Sequence, residues 1–505
     1  MNEKTKEVIT NIYQYMIKKK SAAKINQQSI TKELGISADN LCLEDIKNDL
    51  WDHIIDKIQY FNKDDLLFLA EYMREDFSAR LYSVDRMDHF AEMNEIAIYI
   101  QKIVLNNETT FNKHSYINKA RLDYLMECFM AYGNIKTKIE FSKRNALAIS
   151  INNIFEPIED EKVGEFFQGY NLYLNSTKIE DIEIESPKLR QYVASLQVTP
   201  DEIYKQANPV IEDIMGFHYD DVDYLMNNSH TLLRNTSCAY DTENRLHIKI
   251  KKTDFIDHFK DNINEKHLTK ILEYLSINHC LSDGKKTNRE VELRCITEED
   301  GVLSFALRTF VECLGIFKRI TITGHYMEEP TYSYQKEKLK KHNADLIKQQ
   351  QSMSMYFSYV VAELFDKYGY LIAKDSNGYP SVDIKEITVN GSKLVFNDID
   401  VLAFDKNTNT LLNCELKYFK VKMDYAGLTK DSLESEKYKS LLKRENILKD
   451  NKKAIVKEVF GLNIPEESIS VKSIIITTRQ NYNKREITEY NFEVFKQYLI
   501  NKKPL

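Results

Sequence analysis

Glycine and proline are scarce, 14 and 8 among 505 residues. A chain so poor in turn-formers is built from long helices and plain connections rather than elaborate loops. Its seven cysteines (Cys42, Cys128, Cys238, Cys280, Cys295, Cys313 and Cys414) are scattered and include no Cys-x-x-Cys pair. That excludes a disulfide framework and a cysteine-based zinc site. The eleven histidines show no His-x-x-x-His spacing, and each reads as an ordinary surface or core histidine. A phosphate-cradling Gly-Lys-Ser/Thr loop is missing, so ATP hydrolysis by that route is excluded. The first residues, Met1 to Lys6, carry no apolar leader. The most apolar stretch, Val302 to Ile322, is broken by Arg308, Glu312, Lys318 and Arg319, which a membrane span does not tolerate. The expectation is a cytoplasmic protein with no membrane partner.

What is present divides unevenly. The length predicts two or three domains, and a hydrophobic fraction of 43% with 29% charged residues is that of a globular chain. The formal net charge is -7, yet Lys417 to Lys457 holds twelve Lys or Arg against six Asp or Glu, a local +6 on a remainder of -13. A basic segment on an acidic body suits a polyanion bound at one place; a solvated lysine-rich helix explains it as well. Residues 1–240 read as successive helices, with stripes such as Val8, Ile12, Tyr15, Met16 and Met93, Ile96, Ala97, Ile100. Ser186-Pro187 and Thr199-Pro200 have the form of helix starts, as does Ser37 to Asp39. Residues 241–330 are mixed, with strands predicted over 246–250, 292–296 and 302–307, and are compatible with a winged-helix-like segment. Residues 331–351 read as a polar connector. Residues 352–505 read as α, several strands, α, β, α, including a hairpin about Asn390-Gly391 and a β-branched run from Val471 to Thr477.

The chemistry is concentrated on two of those strands. Asp398-Ile399-Asp400-Val401 is followed, eleven residues after Phe404, by Glu415-Leu416-Lys417. Alternation along a strand puts Glu415 and Lys417 on one face with Asn413. Ionisable groups inside an apolar strand are costly unless paired. An antiparallel pairing of 399–404 with 411–418 brings Asp400 beside Glu415, and two carboxylates with a strand carbonyl make a hard-oxygen site for Mg²⁺. Lys417 is placed to orient or deprotonate a water or to neutralise charge on a phosphate.

Asp400, fourteen residues, then Glu415-x-Lys417, on two strands preceded by a helix and followed by α-β-α, resembles the PD-(D/E)XK nuclease superfamily. The resemblance covers the C-terminal third, and no proline precedes the acid. It implies an α+β multidomain chain ending in a restriction-endonuclease-like α/β domain. By this resemblance Asp400 and Glu415 are metal-binding and catalytic, Lys417 is catalytic, and Asp398 and Glu363 are further metal candidates. The cofactor implied is Mg²⁺ or Mn²⁺, and the activity is phosphodiester hydrolysis, of DNA rather than RNA. Lys420, Lys422, Lys443 and Arg444 are the candidate nucleic-acid contacts. Large helical regions beside such domains suggest a restriction or anti-phage defence role, with a protein partner or self-association through the helices. The competing reading is a catalytically silent nuclease-fold module that binds nucleic acid or a protein.

Overall fold

The computed structural model describes all residues except 1–6, 12, 15–26, 38–40, 81–86, 107–108, 115–117, 143–149, 151, 157–178, 235, 241–245, 283–290, 292, 324–335, 419–434, 479–486 and 504. The chain forms two compact units. One comprises Met1–Asn171, Ile211–Thr321 and Tyr326–Leu339; the other comprises Leu172–Val210, Ile322–His325 and Lys340–Leu505. The divisions expected at 240, 330 and 351 therefore shift: 241–321 belongs with the helical N-terminal region, and 172–210 joins the C-terminal unit.

The elements used below are, in chain order, α1 (Leu43–Ile58), α2 (Lys63–Arg80), α3 (Met87–Leu105), α4 (Lys119–Ser142), α5 (Pro187–Ser195), α6 (Pro200–Met215) and α7 (Tyr219–Asn228). Then come β1 (Ser237–Tyr240), β2 (Leu246–Lys251), α8 (Lys252–Phe259), α9 (Glu265–Leu275), β3 (Thr297–Glu299), β4 (Val302–Ala306) and α10 (Leu307–Thr323).

In the first unit, α1 to α4 share one core containing Leu50, Ile54, Leu69, Met73, Ile100, Leu125 and Phe129. α1 buries Ile46, Leu50, Ile54 and Ile58, a four-residue spacing that keeps one face inward. α2 is different: it buries Glu71, Arg74, Glu75 and Asp76 as well as apolar residues. Each needs a partner, because a lone buried charge costs several kcal/mol. The Glu71 carboxylate lies 2.7 Å from His247 Nδ1 and accepts from the Thr297 hydroxyl. Asp76 accepts from the Tyr13 hydroxyl. Glu75 accepts from the backbone N–H groups of Arg308 and Thr309 in the first turn of α10, and burial pushes its carboxyl up to about 7. The strands form an antiparallel sheet in the order β1-β2-β4-β3. The strand expected over 292–296 falls instead at Thr297–Glu299.

The C-terminal unit adds α11 (Asn343–Lys367), β5 (Leu371–Ile372), β6 (Val382–Val389), β7 (Ser392–Asp405), β8 (Thr410–Lys417), α12 (Ser435–Asp450), α13 (Lys452–Phe460), β9 (Ser470–Thr477), β10 (Thr488–Asn491) and α14 (Phe492–Ile500). Its six-stranded sheet runs β10-β9-β8-β7-β5, with β6 also on β7. β8, β9 and β10 are parallel neighbours; β5, β6 and β8 pair antiparallel with β7. The sheet is mixed, and the chain as a whole is α+β.

Local signals position these elements. Asn390 and Gly391 hold φ of 48° and 78°, the left-handed pair that a two-residue hairpin requires, so β6 returns directly as β7. Gly461, at φ 68°, closes α13 by donating to the Lys457 carbonyl. Ser186 caps α5 as its sequence predicts, accepting from Leu189 N–H. α11 begins at Asn343, so the expected connector is partly helix. The single long helix expected over 432–460 is two helices, α12 and α13. One layer of core joins α11 and α14 to the sheet through Phe357, Val361, Val401, Cys414, Leu416 and Ile476. Another joins α12 and α13 through Leu402, Phe404, Leu411, Leu448 and Val456. Among the described residues no helix is long and apolar enough to cross a membrane.

Candidate metal centre

β7 carries the site at a transition. Its first half is largely exposed, whereas Ile399 to Asp405 are buried throughout. Asp398 and Asp400 stand where the strand enters the sheet. Val401 pairs with Cys414 and Leu402 with Asn413; continuing that ladder by one step sets Asp400 opposite Glu415. On the other side Val382 pairs with Val401 and Ile384 with Ile399, which sets Asp383 opposite Asp400. Three neighbouring strands thus bring three acids into one row. Just beyond, Glu386 pairs with Val395, so β7 holds two extra residues beside the row. Asp383 itself sits at φ 52°, a backbone region a non-glycine residue occupies only under constraint.

The carboxylates divide into two roles. Glu415 is held by two cations: Lys417 donates to Oε1 and Arg444, from α12, to Oε2. Burial pushes the Glu415 carboxyl up, but these two partners outweigh it and leave the group below its ordinary range, ionised. Asp400 accepts a hydrogen bond from the Leu416 backbone N–H. Burial, and then the Glu415 charge beside it, drive its carboxyl up to about 8. Two buried carboxylates side by side cannot both ionise cheaply; Glu415 has the cations, so Asp400 takes the proton. Asp383 is pushed up to about 6 by burial and by Asp398, and Asp398 is raised by burial and by Glu415.

Asp383, Asp398 and Asp400 each offer a carboxylate oxygen within 4.8 Å of the other two. Ligands at the ~2.1 Å that Mg²⁺ demands stand roughly 3.0 Å apart when adjacent and about 4.2 Å when opposite. Three oxygens within 4.8 Å of one another are thus near the spacing that one such cation requires. The Oδ1 atom of Asp398 is buried with no hydrogen-bond partner, an arrangement that costs free energy unless a cation meets it. The donor set is oxygen only, a chemistry that hard divalent ions accept.

The metal-free protein gains stability by keeping Asp400 protonated, because its folded-state value lies above its ordinary one. That contribution is present below about pH 4 and is lost as pH rises through about 8. Thermal unfolding in chelator is expected to show this decline, and Asp400→Asn to flatten it, leaving the variant about 1–4 kcal/mol more stable above pH 8.

The structure sorts the expected site residues. Asp400, Asp398, Glu415 and Lys417 are brought together. Glu415 is engaged by Lys417 and Arg444 and is outside the three-carboxylate group, which Asp383 joins instead. Glu363 is elsewhere: it accepts from the backbone N–H groups of Glu185 and Ser186 at 2.9 and 2.6 Å, fixing the start of α5. Arg444, expected to meet phosphate, is 4% exposed and bound to Glu415. Lys443 is exposed on α12; Lys420 and Lys422 lie outside the described residues. Asp383 was missed. Its signal is an acid between β-branched residues, Val382-Asp383-Ile384, on the strand that the Asn390-Gly391 turn folds against Asp398 and Asp400. Arg444 was legible too: Leu441, Arg444 and Leu448 share the buried stripe of α12 at i, i+3, i+7. Compared with family models, curated proteins and solved structures, the chain matches none.

Proposed function

We propose that the C-terminal unit is a metal-dependent nuclease of the PD-(D/E)XK kind that hydrolyses phosphodiester bonds, in DNA by preference. The observation that supports this most is the row Asp383, Asp400 and Glu415 across three strands, with Lys417 two residues beyond the last acid. Asp400, Asp398 and Asp383 are the residues that would hold Mg²⁺ or Mn²⁺. Such a cation, when bound, polarises a phosphoryl oxygen and lowers the pKa of a coordinated water.

The chain's own groups do the rest. Glu415, ionised and fixed by Arg444, holds the Lys417 ammonium by the acidic row. Lys417 there offsets charge on the non-bridging oxygens as the bond to the leaving oxygen lengthens. Exposed Lys443 and Lys439 on the adjoining helix supply positive charge for a polyanion. A restriction or anti-phage role for the whole chain, with the helical unit selecting substrate or partner, belongs to the same proposal.

The test is incubation of supercoiled and linear DNA with the full chain in Mg²⁺, in Mn²⁺ and in chelator. Cleavage with either metal and none in chelator is expected; intact DNA under all three conditions contradicts the proposal. A second reading has an observation of its own. The closed set of Lys417, Glu415 and Arg444 is what a silent module would keep as a structural ion cluster. It requires DNA or protein binding unchanged by Asp400→Asn, with no divalent ion bound in calorimetry.

A further inference from the structure

A second set of metal-ligating side chains lies in the N-terminal unit. Glu212, His218 and His267 each place one ligand atom within 4.8 Å of the other two. Glu212 is on the last turns of α6, His218 is the residue before α7, and His267 is in the first turn of α9. Three elements therefore converge, from positions 49 residues apart between the two histidines. Gly216 makes the convergence possible. It holds φ +81°, and a β-carbon there would meet the Lys270 side chain at 3.3 Å, so the turn between α6 and α7 sits tight against α9 one turn beyond His267.

The side chains stand close to one another. His218 Nε2 stands 3.6 Å from the Glu212 carboxylate, and the two rings lie 5.0 Å apart at 68°. His267 Nδ1 is 2.8 Å from Asp221 Oδ2. An ionised carboxylate only accepts, so Nδ1 carries the hydrogen and Nε2 presents its lone pair. The same Asp221 oxygen accepts from the His218 backbone N–H, which fixes the carboxylate in turn. A carboxylate behind a histidine, selecting its tautomer, is the outer-shell arrangement that metal-bound imidazoles use.

From this geometry we infer that Glu212, His218 and His267 form a binding site for a borderline divalent cation of the zinc class. Two nitrogens and one carboxylate oxygen leave a fourth position for water or a ligand. The site differs in kind from the all-oxygen group of the C-terminal unit: Mg²⁺ has little preference for imidazole, whereas Zn²⁺ and Co²⁺ take it readily. Its occupation clamps the end of α6 and the start of α7 to α9.

The test is titration of the full-length protein with Co²⁺ in excess Mg²⁺, which occupies the carboxylate group. One equivalent giving the visible absorption of a low-symmetry, nitrogen-ligated Co²⁺ is expected. His218→Ala and His267→Ala should each weaken its binding at least tenfold, and Asp221→Asn about 10–100-fold; Asp398→Asn should leave it unchanged. Equal Co²⁺ uptake and spectra in wild type and in the double histidine variant would overturn the site. If the variants do not fold, X-ray absorption of the Zn²⁺-loaded wild type decides. Two imidazole scatterers are expected, and a shell of oxygen alone would overturn the inference.

Discussion

Asp400→Asn is expected to reduce Mg²⁺-dependent DNA cleavage at least about a thousandfold, and Lys417→Ala by roughly a hundred- to a thousandfold. The reasons differ, and so do the signatures. Asp400 stands at the centre of the acidic row, opposite Asp383 on one side and Glu415 on the other. Its loss removes the member of the proposed metal group that Asp383 and Asp398 stand beside. Divalent binding in calorimetry should fall with activity, and raising the metal concentration should restore little. Lys417 donates to Glu415 and stays outside the three-carboxylate group. Its removal should leave metal binding within a few-fold and lower the turnover number alone. Lys417→Arg keeps the charge but changes its shape, and a partial recovery is expected. A Lys417→Ala variant that cuts as fast as wild type would remove the lysine from the chemistry.

Arg444→Ala should lower the stability of the C-terminal unit by about 3–5 kcal/mol, the usual result of stripping one partner from a buried ion pair. Arg444 is 4% exposed and meets a Glu415 that is 11% exposed; Lys417 stays on Oε1, but water has little access to replace the second cation. In a unit of this size the change corresponds to a fall of about 10 °C in the unfolding midpoint. Thermal unfolding followed in the C-terminal unit measures it. An unchanged midpoint together with weaker DNA binding would return Arg444 to the role the sequence suggested, a surface contact to phosphate.

Those two outcomes mark what the sequence could convey. The strands Val382–Val389 and Ser470–Thr477, the turn at Asn390-Gly391 and the stop at Gly461 follow from local chemistry, and they are found where alternation and backbone preference put them. Asp400 and Glu415 follow from the same logic, because a hairpin's register is set by its turn and its alternation. Asp383 is one strand further away. Its placement depends on the irregular pairing between Ile384 and Glu386, which pattern alone does not specify. Glu363, a metal candidate by resemblance, instead caps the segment at Glu185 and Ser186, which comes from nearly 180 residues earlier and so is not legible from its neighbours. The same limit hid the buried charges Glu71 and Glu75 of α2. Their partners His247, Thr297 and the start of α10 are supplied by distant chain. It also hid the Glu212, His218 and His267 group, whose spacing obeys no local rule.

Diffraction from crystals soaked in Mn²⁺, with the ion located by its anomalous signal, bears most directly on the carboxylate row. A peak about 2.1–2.3 Å from oxygens of Asp400 and of Asp383 or Asp398 is the predicted result. A peak bound to none of these three, or no peak in crystals whose carboxylates are open to solvent, would contradict it.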